Sequence, residues 1–138
     1  MAKIAVKPIV LNDVVLIIGA DNYEATVNRV TLTPTTPTAT WKGMTPGSDV
    51  ALVGEPTWTL DIQYAQDYET EKSVSNYALA NRGVPVDVSV RPKAGGKGYK
   101  VNAVPVPGPI GGDLGEANAA VAAAQWPING QPTALAAA

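Results

Sequence analysis

Apolar and polar side chains alternate along several stretches of the chain, which is typical of β-strands with one buried face and one polar face. Residues 57–64 show this alternation most clearly. The apolar positions of the stretch are Trp58, Leu60, Ile62 and Tyr64. The polar positions are Thr57, Thr59, Asp61 and Gln63. The pattern predicts that one face packs in a core and that the other meets water or a partner.

Further strands are predicted on both sides of this stretch. In residues 84–91 the valines are predicted to point inward, and the outward positions are Pro85, Asp87, Ser89 and Arg91. Residues 99–106 supply a pairing partner across the glycine-rich turn 93–98. Nearer the start, residues 4–11 and 14–18 are predicted to form a hairpin buried on both faces. Residues 23–32 follow as a strand that ends at Pro34.

One helix is predicted within residues 67–83, and most clearly from about 72 to 81. Acidic residues come early, Arg82 comes late, and Gly83 can supply a left-handed cap. The stripe predicted to pack on the sheet consists of Val74, Tyr77 and Ala78. Residues 114–126 have the alanine content of a helix, whereas the Pro and Gly residues around them favour another hairpin, so both structures stay open for residues 117–124.

Residues 33–56 have a different character, because threonine, proline and other turn residues dominate them. One interpretation is a simple β-hairpin. The other is a functional arm, since a turn-rich stretch of this length is uncommon inside a compact domain. An arm would use Trp41, Lys42, Met44 and Asp49 to contact another subunit.

Composition narrows the function further. The 138 residues suit one domain, and their 46% hydrophobic and 16% charged content is poor in charge for a soluble monomer, which favours an oligomer. A net charge of −2 argues against wrapping nucleic acid. The N-terminal residues lack the pattern of a signal peptide, and no apolar run approaches the length of a spanning helix. We therefore expect no membrane association and synthesis in a cytoplasm.

Catalytic interpretations are weak. The chain has no His and no Cys, which removes the residues that most often perform acid–base, thiol or zinc chemistry. Residues 95–98 resemble a phosphate-binding loop in composition alone. The carboxylates are explained more simply as a solvated face and as charges near a helix start. We expect a structural protein, not an enzyme, with no metal and no cofactor.

The order of these elements resembles one family over essentially the whole chain. The shared features are a Val-Lys-Pro segment, a Leu-Asn-Asp-Val-Val-Leu strand, a Thr-Pro arm containing Trp41 to Met44, the strand from Trp58 to Tyr64, a helix ending near Gly83, a valine hairpin, and a Pro-Gly-Pro-Ile-Gly-Gly tail. The chain is similar in this respect to the major tail tube proteins of long-tailed, non-contractile bacteriophages. The alanine-rich residues 117–124 depart from the family, whose final strand is expected to contain β-branched residues.

The resemblance implies a mainly β fold, an antiparallel β-sandwich with one flanking α-helix, whose inner sheet joins its neighbours in a ring-shaped β-barrel. Stacked hexameric rings of such a virion protein form the tail tube that conducts phage DNA into the host. The implied partners are copies of the chain itself, other tail proteins (tape measure, tail terminator and distal tail), and DNA that passes without specific binding.

In such a tube, the strand faces that are not in the core would look into the bore. The predicted bore-facing residues are Asp61, Gln63, Asp87, Ser89 and Arg91. An acidic or neutral bore suits transit, because Asp61 and Asp87 would repel phosphate, and a carboxylate is expected beside Arg91. The inter-ring arm would span about residues 33–56 of the single domain 1–138.

Two other classes stay open from the sequence. A monomeric β-sandwich binding or decoration module would remain a monomer at all concentrations. A small carbohydrate-active enzyme would need a cleft with two carboxylates at reaction distance.

Overall fold

The computed structural model describes residues 2–114 and 120–137, and the chain is mainly β, with 48% of it in strands. The elements of the described residues are β1 (Val15–Ile18), β2 (Asp21–Asn22), β3 (Val27–Thr35), β4 (Thr38–Lys42), β5 (Asp49–Val53), β6 (Thr57–Ala65), α1 (Val74–Ala80), β7 (Val86–Arg91), β8 (Gly98–Ala103) and β9 (Val121–Leu135). No helix in these ranges combines enough length and hydrophobicity to span a bilayer.

Seven of the strands form one antiparallel sheet in the order β2-β1-β7-β8-β9-β6-β3. The long strand β9 joins the two halves of this sheet. Residues 121–127 of β9 pair with β6, and residues 128–135 pair with β8. The sheet curls like half a barrel, so that buried side chains from both halves meet in one core on its inner face. Strands β4 and β5 form a separate hairpin.

Alternation along the strands builds this core as the sequence predicts. On β6, the side chains of Leu60, Ile62 and Tyr64 are buried, and Trp58 is half-buried at the strand's start. Trp126 on β9 is fully buried, and its indole Nε1 donates a hydrogen bond to the carbonyl of Val106 at 3.1 Å. Full burial of a large apolar side chain stabilises a fold by about 1.5–3 kcal/mol.

The alanine-rich tail adopts the strand alternative where the structure describes it. Ala122, Ala124 and Trp126 point into the core. Pairing with β6 outweighs the helix propensity of alanine. The strand continues through Pro127 instead of turning there, and residues 115–119 lie outside the described residues.

The predicted hairpin of residues 4–11 with 14–18 is wrong. Strand β1 pairs with β7 on one side. On its other side β1 pairs with β2 and is hydrogen-bonded by the residues that follow β2. The amide of Tyr23 donates to the carbonyl of Leu16 at 2.9 Å, and the Leu16 amide donates to the Glu24 carboxylate at 3.3 Å. No side of β1 is left for residues 4–11, whose apolar side chains are exposed. Strand β1 itself buries one face, not two.

Two strand boundaries also differ from the prediction. Strand β3 runs through Pro34 to Thr35, which an edge strand allows because its outer amides need no partner. Strand β7 begins at Val86, so Val84 is 55% exposed instead of pointing inward. The hairpin of β7 with β8 is confirmed, although β8 ends at Ala103.

The predicted helix forms, but it is shorter and its charges are not placed as expected. Val74 and Ala78 are buried against the core and Tyr77 packs beside them, as predicted. The cap is Ser73, whose Oγ accepts a hydrogen bond from the Asn76 amide. The early acids precede the helix, and neither its first nor its last turn carries the expected charge. Hydrogen bonds from the side chain and amide of Thr70 hold the pKa of one of them, Asp67, below its usual value.

Gly83 gives a test of the turn after the helix. Its φ of +79° lies in the left-handed region, and a Cβ there would meet no atom within 4 Å, so backbone strain alone limits substitution. We expect Gly83→Val to lower the free energy of unfolding by about 1–2 kcal/mol, and the control Gly83→Asn to cost much less. Urea denaturation measures both values. Equal stabilities for the two variants would contradict the left-handed assignment.

Candidate functional site

The outer face of the curled sheet is polar across five neighbouring strands, and we call it the polar face. Strand register places on it, among others, Arg29, Thr31, Thr33, Asp61, Gln63, Gln125, Asn129, Asn102, Lys100, Asp87, Ser89 and Arg91. All five predicted bore-facing residues therefore share one face of one sheet. They do not form one cluster, because β8 and β9 separate those on β6 from those on β7.

The β7–β8–β9 half of the polar face is linked by side-chain hydrogen bonds. The side-chain amide of Asn102 donates to the Asp87 carboxylate at 3.2 Å, and the side-chain amide of Asn129 donates to Oδ1 of Asn102 at 3.0 Å. Lys100 lies 3.5 Å from the same Asp87 carboxylate. These groups are exposed, so the ion pair is worth at most about 1 kcal/mol. The links fix side-chain positions and neutralise Asp87.

The β3–β6 half contains an unusual carboxylate. Thr33 donates a hydrogen bond to Oδ2 of Asp61 at 3.0 Å, whereas Oδ1 is buried and has no hydrogen-bond partner among the described residues. A concavity of about 540 Å³ opens beside it. The residues lining that concavity are Arg29, Thr31, Asp61, Ala123, Ala124 and Gln125. A buried polar atom without a partner costs about 1–3 kcal/mol, so this oxygen reduces what Asp61 contributes to stability.

Acidic and basic side chains are mixed on the polar face. No described carboxylate forms an ion pair with Arg91, whose guanidinium donates to the carbonyls of Gly96 and Ala136, both at 2.7 Å. These bonds tie the β7–β8 turn to the end of β9. The carboxylates Asp61 and Asp87 share the face with the cations Arg29, Arg91 and Lys100. The polar face is therefore mixed in charge, not acidic.

Residues 38–53 form an exposed hairpin, which we call the arm hairpin. Trp41 lies opposite Val50 and Ala39 opposite Leu52, so these apolar residues share one face of the hairpin. Trp41 is 65% exposed, and Met44 in the connecting turn is fully exposed. Lys42 lies opposite Asp49 on the other face. Of the predicted arm residues, Trp41 and Met44 thus present an uncovered apolar surface, while Lys42 and Asp49 form a cross-strand pair of opposite charges.

A hydrogen-bonded clamp that the sequence did not reveal holds the base of the arm. The indole of Trp58 donates to the Gln131 side-chain oxygen at 2.6 Å, and the Gln131 amide donates to the carbonyl of Pro56 at 2.7 Å. Gln131 can reach these groups because β9 bulges between its pairs with Lys100 and Asn102. Gly130 lies in this part of β9 with a φ of +79°. The presence of a glycine there is the one feature of the sequence that indicates the bulge.

The environment of Asp61 predicts a change in stability. Replacing it with threonine loses the exposed hydrogen bond from Thr33, but it removes the unpartnered oxygen and adds a β-branched residue to a strand. Because the last two effects outweigh the first, we expect Asp61→Thr to raise the free energy of unfolding by about 0.5–1 kcal/mol. The control Asp87→Thr loses the contacts to Lys100 and Asn102 and should be neutral or slightly destabilising. Chemical denaturation of both variants measures the difference. A loss of stability in Asp61→Thr alone would contradict this description.

Comparison with known proteins does not add a family to these observations. No protein-family model matches the sequence, and no curated protein matches it significantly. No group of three acidic side chains that could hold a metal ion occurs in residues 2–114 and 120–137. We base the functional proposal on the two surfaces described above, the polar face and the arm hairpin.

Proposed function

We propose that this chain is a structural protein that assembles with copies of itself into stacked rings, and that the stacked rings form a tube of the kind that conducts DNA in the tails of long-tailed, non-contractile bacteriophages. The observation that carries this proposal is the arm hairpin with its uncovered apolar face. An isolated two-stranded hairpin is marginally stable in water, and exposed Trp41 and Met44 gain nothing from solvent. A second subunit that covers this face would explain both the stability of the hairpin and the position of these two apolar side chains.

The geometry of that contact favours an extended assembly. The arm hairpin has its own two strands and is joined to the curled sheet through β3 and β6, so it can reach beyond the body of its subunit. When an arm docks on a different surface of a copy in the next ring, the contact is head-to-tail, and such a contact repeats from ring to ring along a stack as long as it does not close on itself. The low charge content of the chain supports such extensive burial.

The curl of the sheet refines the proposed bore. The polar face lies on the outside of the curl, so its two halves point in different directions. They cannot both line one channel. We assign the bore to the β3–β6 half, because the arm that is proposed to stack the rings is joined to the ends of these two strands. Its side chains are mostly neutral, and Arg29 offsets Asp61, which suits DNA that slides past without binding. In this arrangement Asp87, Ser89 and Arg91 lie away from the bore.

The proposal also places the chain in a virion tail after its synthesis in the host cytoplasm. The ends of the tube would meet other tail proteins, namely the tape measure, the tail terminator and the distal tail protein. The role is structural and requires no reaction, metal or cofactor.

Trp41→Ala tests the assembly. We expect the variant to fold with an unfolding free energy within about 0.5 kcal/mol of wild type, because Trp41 is largely exposed, and yet to form no tubes. The lost contact is worth about 1.5–3 kcal/mol per subunit. Thr40→Ala, on the opposite face of the same strand, is the matched control and should assemble normally. Negative-stain electron microscopy and sedimentation velocity measure the outcome.

Two results would overturn the proposal. If the Trp41→Ala variant formed as many tubes as the wild-type chain, the arm hairpin would have no role in assembly. A wild-type chain that stays monomeric at all concentrations would instead support a monomeric binding or decoration module.

Charge reversal on each half of the sheet tests the bore. In virions built with Asp61→Lys, we expect slower DNA ejection at low ionic strength and recovery at high salt, because the added lysine attracts phosphate over a screened distance of about 10 Å. Asp87→Lys is the control on the other half and should eject DNA normally. Slow ejection with Asp87→Lys alone would move the bore to the β7–β8 half, and no change with either variant would reject a lining role for both residues.

A further inference from the structure

We infer that residues 3–11 of one copy of this chain add as a β-strand to the free edge of β3 in a second copy. The inference rests on the self-association proposed above, but not on the tube. It concerns a different surface from the arm hairpin and assigns a partner to a segment that has no structural role within its own subunit.

The donor segment carries exposed apolar side chains on both of its alternating faces, including Ile9 and Leu11 on the face of Lys3 and Lys7, and it has no strand partner among the described residues. Its exposed apolar side chains include Ile4 (88% exposed), Val6 (79%) and Val10 (75%), which fall on one face together with Pro8. Residues 2–9 make no hydrogen bond to any residue that the structure describes. An apolar face of this kind, left in water, indicates a surface that another molecule covers.

The acceptor is a long strand edge beside an open cleft. Among the described strands, β3 pairs with β6 alone, so one side of its nine residues is unpaired. A cleft of about 460 Å³ separates this edge from the chain around the start of β1. Val14, Val27 and Val30 line the cleft and are incompletely buried, which means that the core is uncovered at this seam.

Donor and acceptor match in length and in chemistry. Residues 3–11 and strand β3 each have nine residues, or about 30 Å as extended chain. An added strand would place the Ile4, Val6 and Val10 face over the seam and satisfy the free backbone groups of β3. Lys3 and Lys7 are the charged residues of the segment, whereas the cleft contains the carboxylates of Asp13 and Glu24 together with Arg29.

The topology favours a second copy over the segment's own subunit. The segment leads directly into β1, whose two sides are already occupied, and Leu11 lines the cleft at the point where the segment leaves it. Although Leu11 lines the same cleft as β3, residues 2–9 stay exposed and make no hydrogen bond to the described residues of their own subunit. The edge of β3 is therefore left open for the segment of a neighbour.

Cross-linking of mixed variants tests the inference, since the chain has no natural cysteine. The variant Ala5→Cys labels the side of the segment that carries Lys3 and Lys7, and Thr31→Cys labels the corresponding side at the middle of β3. We expect a short bismaleimide to join the two variants, when mixed as full-length chains, at least ten times more efficiently than Ala5→Cys mixed with Lys97→Cys in the exposed β7–β8 turn. Denaturing gel electrophoresis measures the covalent dimer.

The same experiment separates this inference from the proposed function. Equal yields from the two mixtures, in a preparation that forms tubes, would overturn the strand addition and leave the tube intact. Efficient specific cross-linking without rings or tubes would support the strand addition and count against the tube. An intramolecular cross-link in the double variant Ala5→Cys with Thr31→Cys, without covalent dimers, would show that the segment pairs within its own subunit and would overturn the inference.

Discussion

The structure depends on the pairing of one strand with two partners. Strand β9 pairs with β6 over its first half and with β8 over its second, and it is the sole link between the two halves in the sheet order. Trp126 lies where β9 leaves β6, and its fully buried ring packs in the core that both halves share. The curl of the sheet, the single core and the separation of the polar face into two halves all follow from this shared strand.

Much of the fold could be predicted because alternation is a local signal. Strands β6, β7 and β8 and the helix follow from the spacing of apolar residues within each segment. The N-terminal hairpin and the alanine-rich tail could not be decided in the same way. The hairpin prediction failed because β1 pairs with β7, which is far away in sequence. The alanine-rich tail is a strand because β6 supplies it with backbone hydrogen bonds, which a local helix propensity does not take into account.

The candidate site was predictable as a face but not as an electrostatic environment. Alternation placed Asp61 and Asp87 on polar faces correctly, since strand periodicity determines which way a side chain points. Their neighbours are set by register between distant strands, which is why Lys100 beside Asp87 and the two carbonyls bound by Arg91 were not foreseen. The clamp formed by Gln131 depends on a bulge, a backbone irregularity with little sequence signature.

The connection between the arm hairpin and the sheet has a mechanical consequence. The arm continues directly into β3 and β6, so tension applied at its tip enters the sheet through the ends of these strands, and its component along their axes acts on the strand pairs. The hydrogen bonds between β6 and β9 lie across that direction, and a pull along the strands loads seven pairs of residues together in shear instead of peeling them apart one by one. The Trp58–Gln131 clamp carries part of the same load into β9 at the root of the arm. A subunit held by its arm is therefore attached through the strongest direction of its sheet.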